Sequence, residues 1–241
     1  MTTIHQIAVR MIRCFLIPCK DGYLMIDTNM PGTYDRFLKK LKKTGIELGD
    51  IKYLLLTHYH DDHVGFAAQI IHDTPARLIV HEGAVPIIRE GQTQNPFINK
   101  KEARARFLNV WTRYTMTLLS AIVQRSWGYP PVATREQDIV IHGDTPGLLP
   151  DIGIDGTILH TPGHTGDSIS VVLADGSAFV GDTAMNFMPW FGTHHRPIYA
   201  LDYADVFASW RKLLEHGART IYTAHGSPFG AEKLTRYIDQ K

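Results

Sequence analysis

The sequence predicts a single-domain α/β or α+β protein, with two β-sheets packed face to face and helices outside them. Three observations lead there. The chain of 241 residues has no linker that would divide it. Short β-rich runs and helix-spaced runs form two similar halves. Several of the apolar runs also end directly in histidine or aspartate, as strands do when they deliver side chains to a sheet edge.

The elements follow in order. "CFLIPC" and "GYLMIDT" are β-rich runs separated by Asp21-Gly22, a hairpin signal. Thr33 stands at an N-cap position, Phe37, Leu38 and Leu41 carry helical spacing, and Gly45 stops the helix. "IKYLLLTH" reads as a buried strand. "DDHVGFAAQIIHD" reads as one helix, with Asp61 and Asp62 in the first turn where carboxylates suit the dipole and Asp61 exposed. "ARLIVHE" is the next strand. The second half repeats this outline with "TILHTPGH", then "SISVVLADGSAFVGDT" around an Asp175-Gly176 turn, a helix from about Tyr203 to His216, and "TIYTAHG". Between the halves, Lys100 to Trp127 reads as a helical insert, which makes residues 1–241 one domain with an insertion at about 100–127.

Composition narrows the partners. The formal net charge is +1, with 20% charged residues, so the clustered basic surface that a nucleic acid requires is not expected. The basic run Lys39–Lys43 lies in a helical pattern and reads as a solvated face. No run approaches the roughly 20 apolar residues of a membrane span, and no basic-then-apolar leader is visible. Cys14 and Cys19 lie five apart on one strand and face opposite sides, so no disulfide is expected between them. A cytoplasmic protein with no membrane and no nucleic-acid partner is the expectation.

"THYHDDHVG" concentrates the chemistry. His58 and His60 stand at i and i+2 on a strand end, so both imidazoles can reach one ion. Asp62 and His63 follow after the chain turns into a helix and face a neighbouring point. An ion such as Zn²⁺ takes about four ligands, from imidazole nitrogen or carboxylate oxygen. Two local pairs therefore imply two ions, each needing partners from other strand ends. His164, Asp182 and His225 are available, each just after an apolar run.

The set His58, His60, Asp62, His63, His164, Asp182 and His225 resembles the HxHxDH…H…D…H pattern of the metallo-β-lactamase superfamily, and "MIDT" with Asp27 resembles that family's first motif. The resemblance covers nearly the whole chain. It implies a four-layer αββα sandwich with the metals at one edge of the two sheets. It implies that His58, His60 and His164 hold one metal, that Asp62, His63 and His225 hold the second, and that Asp182 bridges them. Asp62 and Asp182 are the catalytic carboxylates on this reading, and Asp27 is a supporting residue near the site. The cofactors implied are two zinc ions per chain, with iron or manganese as alternatives.

The ligand pattern is closest to lactonase and glyoxalase II-like members. Lactonases of this kind carry a tyrosine soon after the bridging aspartate, where this chain has "DTAMNF". The expected activity is hydrolysis of a small ester, lactone or thioester by a hydroxide shared between two metals. The alternatives are an iron-dependent oxidoreductase resembling persulfide dioxygenases and a non-catalytic metal-binding or sensing protein. The substrate is expected to be a small molecule, and a homo-oligomer is compatible with the sequence. The segment "MNFMPWFGTHHR" leaves the strand that carries Asp182. Phe187 and Trp190 are expected to line a substrate pocket, with His194 and His195 at its rim. Phe107, Trp111, Tyr114, Met116 and Trp127 of the insert either roof that pocket or bury the insert, and helical aromatic stripes favour burial.

Overall fold

The computed structural model describes residues 2–92, 103–104, 128–187 and 193–238. Its strands are β1 (His5–Val9), β2 (Ile12–Cys19), β3 (Gly22–Ile26), β4 (Ile51–Leu55), β5 (Arg77–His81), β6 (Ala103–Arg104), β7 (Ile139–Ile141), β8 (Gly156–His160), β9 (Ile169–Leu173), β10 (Ser177–Phe179), β11 (Tyr199–Ala200), β12 (Thr220–Tyr222) and β13 (Phe229–Gly230). One sheet has the order β1-β2-β3-β4-β5-β7, and the other has β13-β12-β10-β9-β8. Both are mixed: β3, β4, β5 and β7 run parallel in the first, and β10 and β12 run parallel in the second.

Strand alternation builds the layers. Phe15, Ile17, Leu24, Ile26, Leu55 and Ile79 of the first sheet form one cluster with Ile158, Ile169, Val171, Leu173 and Phe179 of the second. That cluster is the inter-sheet core. The opposite faces carry helices. Cys14, Leu16, Met25, Leu54 and Leu78 pack against α1 (Tyr34–Leu41), α3 (Ala67–Asp73) and α4 (Val85–Glu90), where Phe37, Ile70 and Ile88 are fully buried. Leu159, Val172, Ala178 and Ile221 pack against α6 (Tyr203–Glu215) and α7 (Glu232–Ile238) through Val206, Trp210, Leu213 and Leu234. The result is the four-layer αββα sandwich. Each fully buried Leu, Ile or Phe contributes roughly 1.5–3 kcal/mol relative to exposure.

Several local expectations are refined. The helix read as continuous from Asp61 to Asp73 is two pieces, α2 (Asp61–Val64) and α3, broken at Gly65-Phe66. A Cβ on Gly65 would lie 2.3 Å from the Asn29 carbonyl oxygen and from the Pro31 nitrogen. The chain bends there so that the segment after β3 can pass. Phe66 then packs 5.1 Å from the Phe37 ring. Asp61 is buried rather than exposed. Thr33 does precede α1, but its hydroxyl donates back to the Met30 carbonyl instead of capping a helix amide. The helical insert at about 100–127, with its aromatic residues, lies outside the described residues apart from Ala103 and Arg104. These two form β6 and pair with β11, a strand where the sequence suggested the start of a helix.

A short helix α5 (Leu148–Asp151) precedes β8. Cys14 and Cys19 are free, and they lie in the clusters on opposite faces of β2. Among the described residues no helix is long and apolar enough to cross a membrane.

Candidate metal centre

Five strand ends meet at one edge of the sandwich. Asp27 follows β3, the Thr57–His63 segment follows β4, His164 follows β8, Asp182 follows β10 and His225 follows β12. The parallel pairing of β3 with β4, and of β10 with β12, brings their C-terminal ends out on the same side. The two sheets are joined there by the Ile169 N–H, which donates to the Thr57 carbonyl at 2.9 Å. Gly181, just before Asp182, has φ +51, and a Cβ on it would lie 2.4 Å from Thr57 Oγ1. Only a residue without a side chain lets the second sheet's loop come this close.

The donor atoms form overlapping groups. His60 Nδ1 lies 3.0 Å from His58 Nε2 and 2.9 Å from His164 Nε2. His225 Nε2 lies 3.0 Å from Asp62 Oδ2, and His63 Nε2 lies 3.8 Å from Asp62 Oδ1. Asp182 stands between these groups. Its Oδ1 is 3.4 Å from His63 Nε2, and its Oδ2 is 3.5 Å from His225 Nε2 and 3.7 Å from His164 Nε2. His58–His60–His164, His58–His63–Asp182 and Asp62–His63–His225 each place three donor atoms within 4.8 Å of one another, as a metal site requires.

The outer nitrogens of these rings are held in a pattern that frees the inner ones. His63 Nδ1 is 2.8 Å from Asp27 Oδ2, and His164 Nδ1 is 2.7 Å from the Tyr199 carbonyl oxygen. A ring that donates from Nδ1 turns its Nε2 lone pair toward the cluster. Asp27 is itself fixed, its Oδ1 accepting from the Thr57 N–H and its Oδ2 from the Thr57 hydroxyl, both at 2.7 Å. Asp27 adopts φ +57, a left-handed conformation that aspartate tolerates better than most residues.

Electrostatics divide the histidines. Burial opposes charge on His63 and His225, yet the carboxylates beside them raise His63 well above its usual range and His225 above it, so a cation there would take the place of a proton. Burial, with the neighbouring imidazoles, pushes His58 well below its usual range, and burial pushes His60 down to about 3. Both are neutral, the state in which imidazole binds metal. Burial opposes charge on Asp62 and Asp182 as well, yet the adjacent histidines outweigh it and hold both carboxylates ionised. His63 Nε2 and Asp182 Oδ1 are buried and have no hydrogen-bond partner among the described residues. They nevertheless face each other at 3.4 Å. Buried polar atoms are seldom left unsatisfied. Two donors that each bind one ion tetrahedrally at about 2.0–2.1 Å stand about 3.3–3.4 Å apart. The seven residues fit a cation.

The seven expected ligand residues thus converge, with Asp27 beside them. Phe187 reaches the rim, its ring 6.3 Å from that of His225. Trp190 lies outside the described residues. His194 stacks on Tyr237 at 4.5 Å and His195 on Phe229 at 3.9 Å, and both have positive φ. The Arg196 N–H donates to the Thr193 carbonyl, closing a tight turn around them. Three residues of the site carry no motif in the sequence: Thr57, although it precedes the first histidine; Tyr129, whose hydroxyl donates to the Tyr59 carbonyl at 3.1 Å; and Asp167, a buried carboxyl pushed up to about 7, by burial above all.

Comparison with known proteins agrees with this architecture. Among curated proteins, an uncharacterized protein of Bacillus subtilis is 21% identical over 83% of this chain and 73% of its own length. A lactamase-like protein of Pestalotiopsis microspora is 24% identical over 84% of this chain, which spans only 45% of that longer protein. The solved structure of a subclass B3 metallo-beta-lactamase from Bradyrhizobium japonicum superposes with a TM-score of 0.65 at 21% identity, over 99% of this chain and 87% of that one. An archaeal superfamily protein from Sulfolobus tokodaii gives 0.61 at 19% identity, over 98% and 85%. At such identities the structures speak for the fold alone. The metallo-beta-lactamase superfamily model matches residues 8–225, a span that includes all seven donors, and the chain belongs to that superfamily.

Proposed function

We propose that this protein is a metal-dependent hydrolase of a small ester, lactone or thioester, working with two zinc ions. The observation that carries the reading is the pair of orphaned buried atoms, His63 Nε2 and Asp182 Oδ1, at the meeting point of the donor groups. His58 Nε2, His60 Nδ1 and His164 Nε2 would hold one ion. Asp62, His63 Nε2 and His225 Nε2 would hold the other, with Asp182 between the two groups: its Oδ1 faces His63, and its Oδ2 lies 3.5 Å from His225 Nε2 and 3.7 Å from His164 Nε2. Such a pair of ions supplies a water-derived nucleophile at neutral pH and polarises the carbonyl under attack.

The chain's own residues do the rest. Asp62 and Asp182 remain ionised in a desolvated site and so offset the positive charge. Asp27 and the Tyr199 carbonyl fix the histidine rings. Phe187 offers an apolar wall beside His225, and no serine, cysteine or lysine nucleophile is required.

The test is metal analysis of protein purified without added metal, followed by a panel of ester, lactone, thioester and phosphodiester substrates. Two equivalents of zinc with hydrolysis support the reading. Asp182→Ala should lose most of the activity and weaken one metal equivalent more than the other. Two metals still bound with turnover within twofold would refute the bridging role. Because imidazole and carboxylate also suit iron, the second reading is an iron-dependent oxidoreductase, and one iron with oxygen consumption would replace the first.

A further inference from the structure

Strand β2 begins beside the candidate metal centre. Ile12 forms an antiparallel bridge with His225, and the Arg13 N–H donates to the Ala224 carbonyl at 3.0 Å. The strand start is thus fastened to the segment that presents a proposed ligand. Alternation puts Arg13 on the same face as Phe15 and Ile17, which fill the space between the sheets. The series Ile17, Phe15, Arg13 runs out of that core toward the edge where the donors gather.

Arg13 is half-buried there, and its Nε is enclosed with no hydrogen-bond partner. Among the described residues no carboxylate or carbonyl pairs with its guanidinium. Burial alone acts on the group, drawing its pKa down. The carboxylates of this edge are committed elsewhere: Asp27 to Thr57 and His63, and Asp62 and Asp182 to the histidines. A desolvated guanidinium without an anion is costly to keep. Such a group suits a partner that arrives with the ligand.

We propose that Arg13 receives an oxyanion, a carboxylate or a phosphate, carried by the substrate of the neighbouring centre. The planar guanidinium can grip either group with two parallel N–H donors. Met11, 61% exposed at the adjoining hairpin tip, gives the same approach an apolar side. The substrate class follows: an acid-bearing ester, lactone or thioester rather than a neutral one. The proposal rests on the hydrolase reading.

The experiment compares metal-loaded wild type, Arg13→Gln and Arg13→Lys on three matched phenyl esters. One carries a terminal carboxylate, one a terminal phosphate, and one is neutral and methyl-capped. For wild type, kcat/KM is expected to favour a charged ester, and the ester preferred identifies the oxyanion. In Arg13→Gln the charged-to-neutral ratio should fall about 10- to 100-fold, the range of a charge-assisted hydrogen bond. Arg13→Lys should recover part of it. A ratio within twofold of wild type in Arg13→Gln would overturn the proposal.

Metal content and melting temperature are measured on every variant. If Arg13→Gln fails to load metal, Arg13→Met takes its place as the uncharged variant: a ratio within twofold of wild type refutes the role and a reduced one supports it. If no ester is turned over, the hydrolase reading fails separately. Calorimetric binding of succinate and inorganic phosphate then decides on Arg13: a tenfold weaker affinity in the variant supports the proposal, and equal affinities refute it.

Discussion

At the scale of single residues, the site depends on atoms that never touch a metal. Asp27 accepts from both the backbone and the hydroxyl of Thr57 and orients His63 through Nδ1. Asp27→Asn keeps the size and tolerates the positive φ, but it can present an N–H where His63 needs an acceptor. Metal affinity should fall about 10- to 100-fold, as it does when the partner of a ligating histidine is removed, and competition with a chelator of known affinity measures it. An unchanged affinity would mean that His63 is oriented by its packing alone. The seven donors were legible in the sequence because each has a side chain fit for metal binding, at a spacing that strand and helix geometry can bring together. The supports were not. The partner of His164 is a main-chain carbonyl, Tyr199 O, which carries no residue signature. Asp61 reads as a solvated first-turn carboxylate and is in fact buried, because α2 lies against the loop after β3.

Elements fix how closely the two halves approach. Gly181 is the tightest point, since its missing side chain makes room for Thr57. Gly181→Ala would add a Cβ at 2.4 Å from Oγ1 in a left-handed backbone. It should cost about 1–3 kcal/mol, seen as a lower urea midpoint with an unchanged slope. A midpoint equal to wild type would show that the loop can move aside.

Asp167, between β8 and β9, offers a pH test. Its carboxyl is pushed up to about 7 by burial, whereas in an unfolded chain it titrates near 4. Between those values the folded chain holds a proton that the unfolded chain has released. This group therefore makes stability fall as pH rises from about 4 to about 7. Asp167→Asn should flatten the fall, measured as the difference between the two unfolding curves at saturating metal; parallel curves would contradict it. Element order was largely legible from periodicity and turn residues. The break between α2 and α3 was not, since it arises from contact with Asn29 and Pro31, about 35 residues away in sequence.

For the whole molecule, the placement of the donors predicts that metal binding and folding are coupled. The donors come from both sheets, and two of their buried atoms have no protein partner among the described residues. Binding an ion satisfies them and ties the sheets together. Stripping the metal should therefore lower the melting temperature. Saturation at 1,000 times Kd is worth about 4 kcal/mol per site, and re-addition should restore it. A metal-free protein that melts at the same temperature would show that the edge is held by Ile169, Thr57 and the inter-sheet core alone. Two packed sheets were suggested by the two β-rich halves, while the four-layer sandwich with its donor edge followed from the family resemblance, because periodicity identifies strands and helices but not which sheet a strand joins. That β6 pairs with β11 depends on main-chain groups far apart in sequence.

The gathering of the donors on strand ends has a consequence for change over time. A side chain at the end of a strand is placed by the ladder behind it, so its position survives when the chain beyond is rewritten. Asn186 and Phe187 come only four and five residues past Asp182: the Asn186 N–H is pinned by the His225 carbonyl, and the Phe187 ring packs against Met185 and Ile198, 6.3 Å from the His225 ring. Insertions, deletions and exchanges past that pin can reshape the surface beside His225 without moving the donor residues held at the strand ends. One chassis can therefore be refitted repeatedly, its chemistry inherited and its clientele renegotiated.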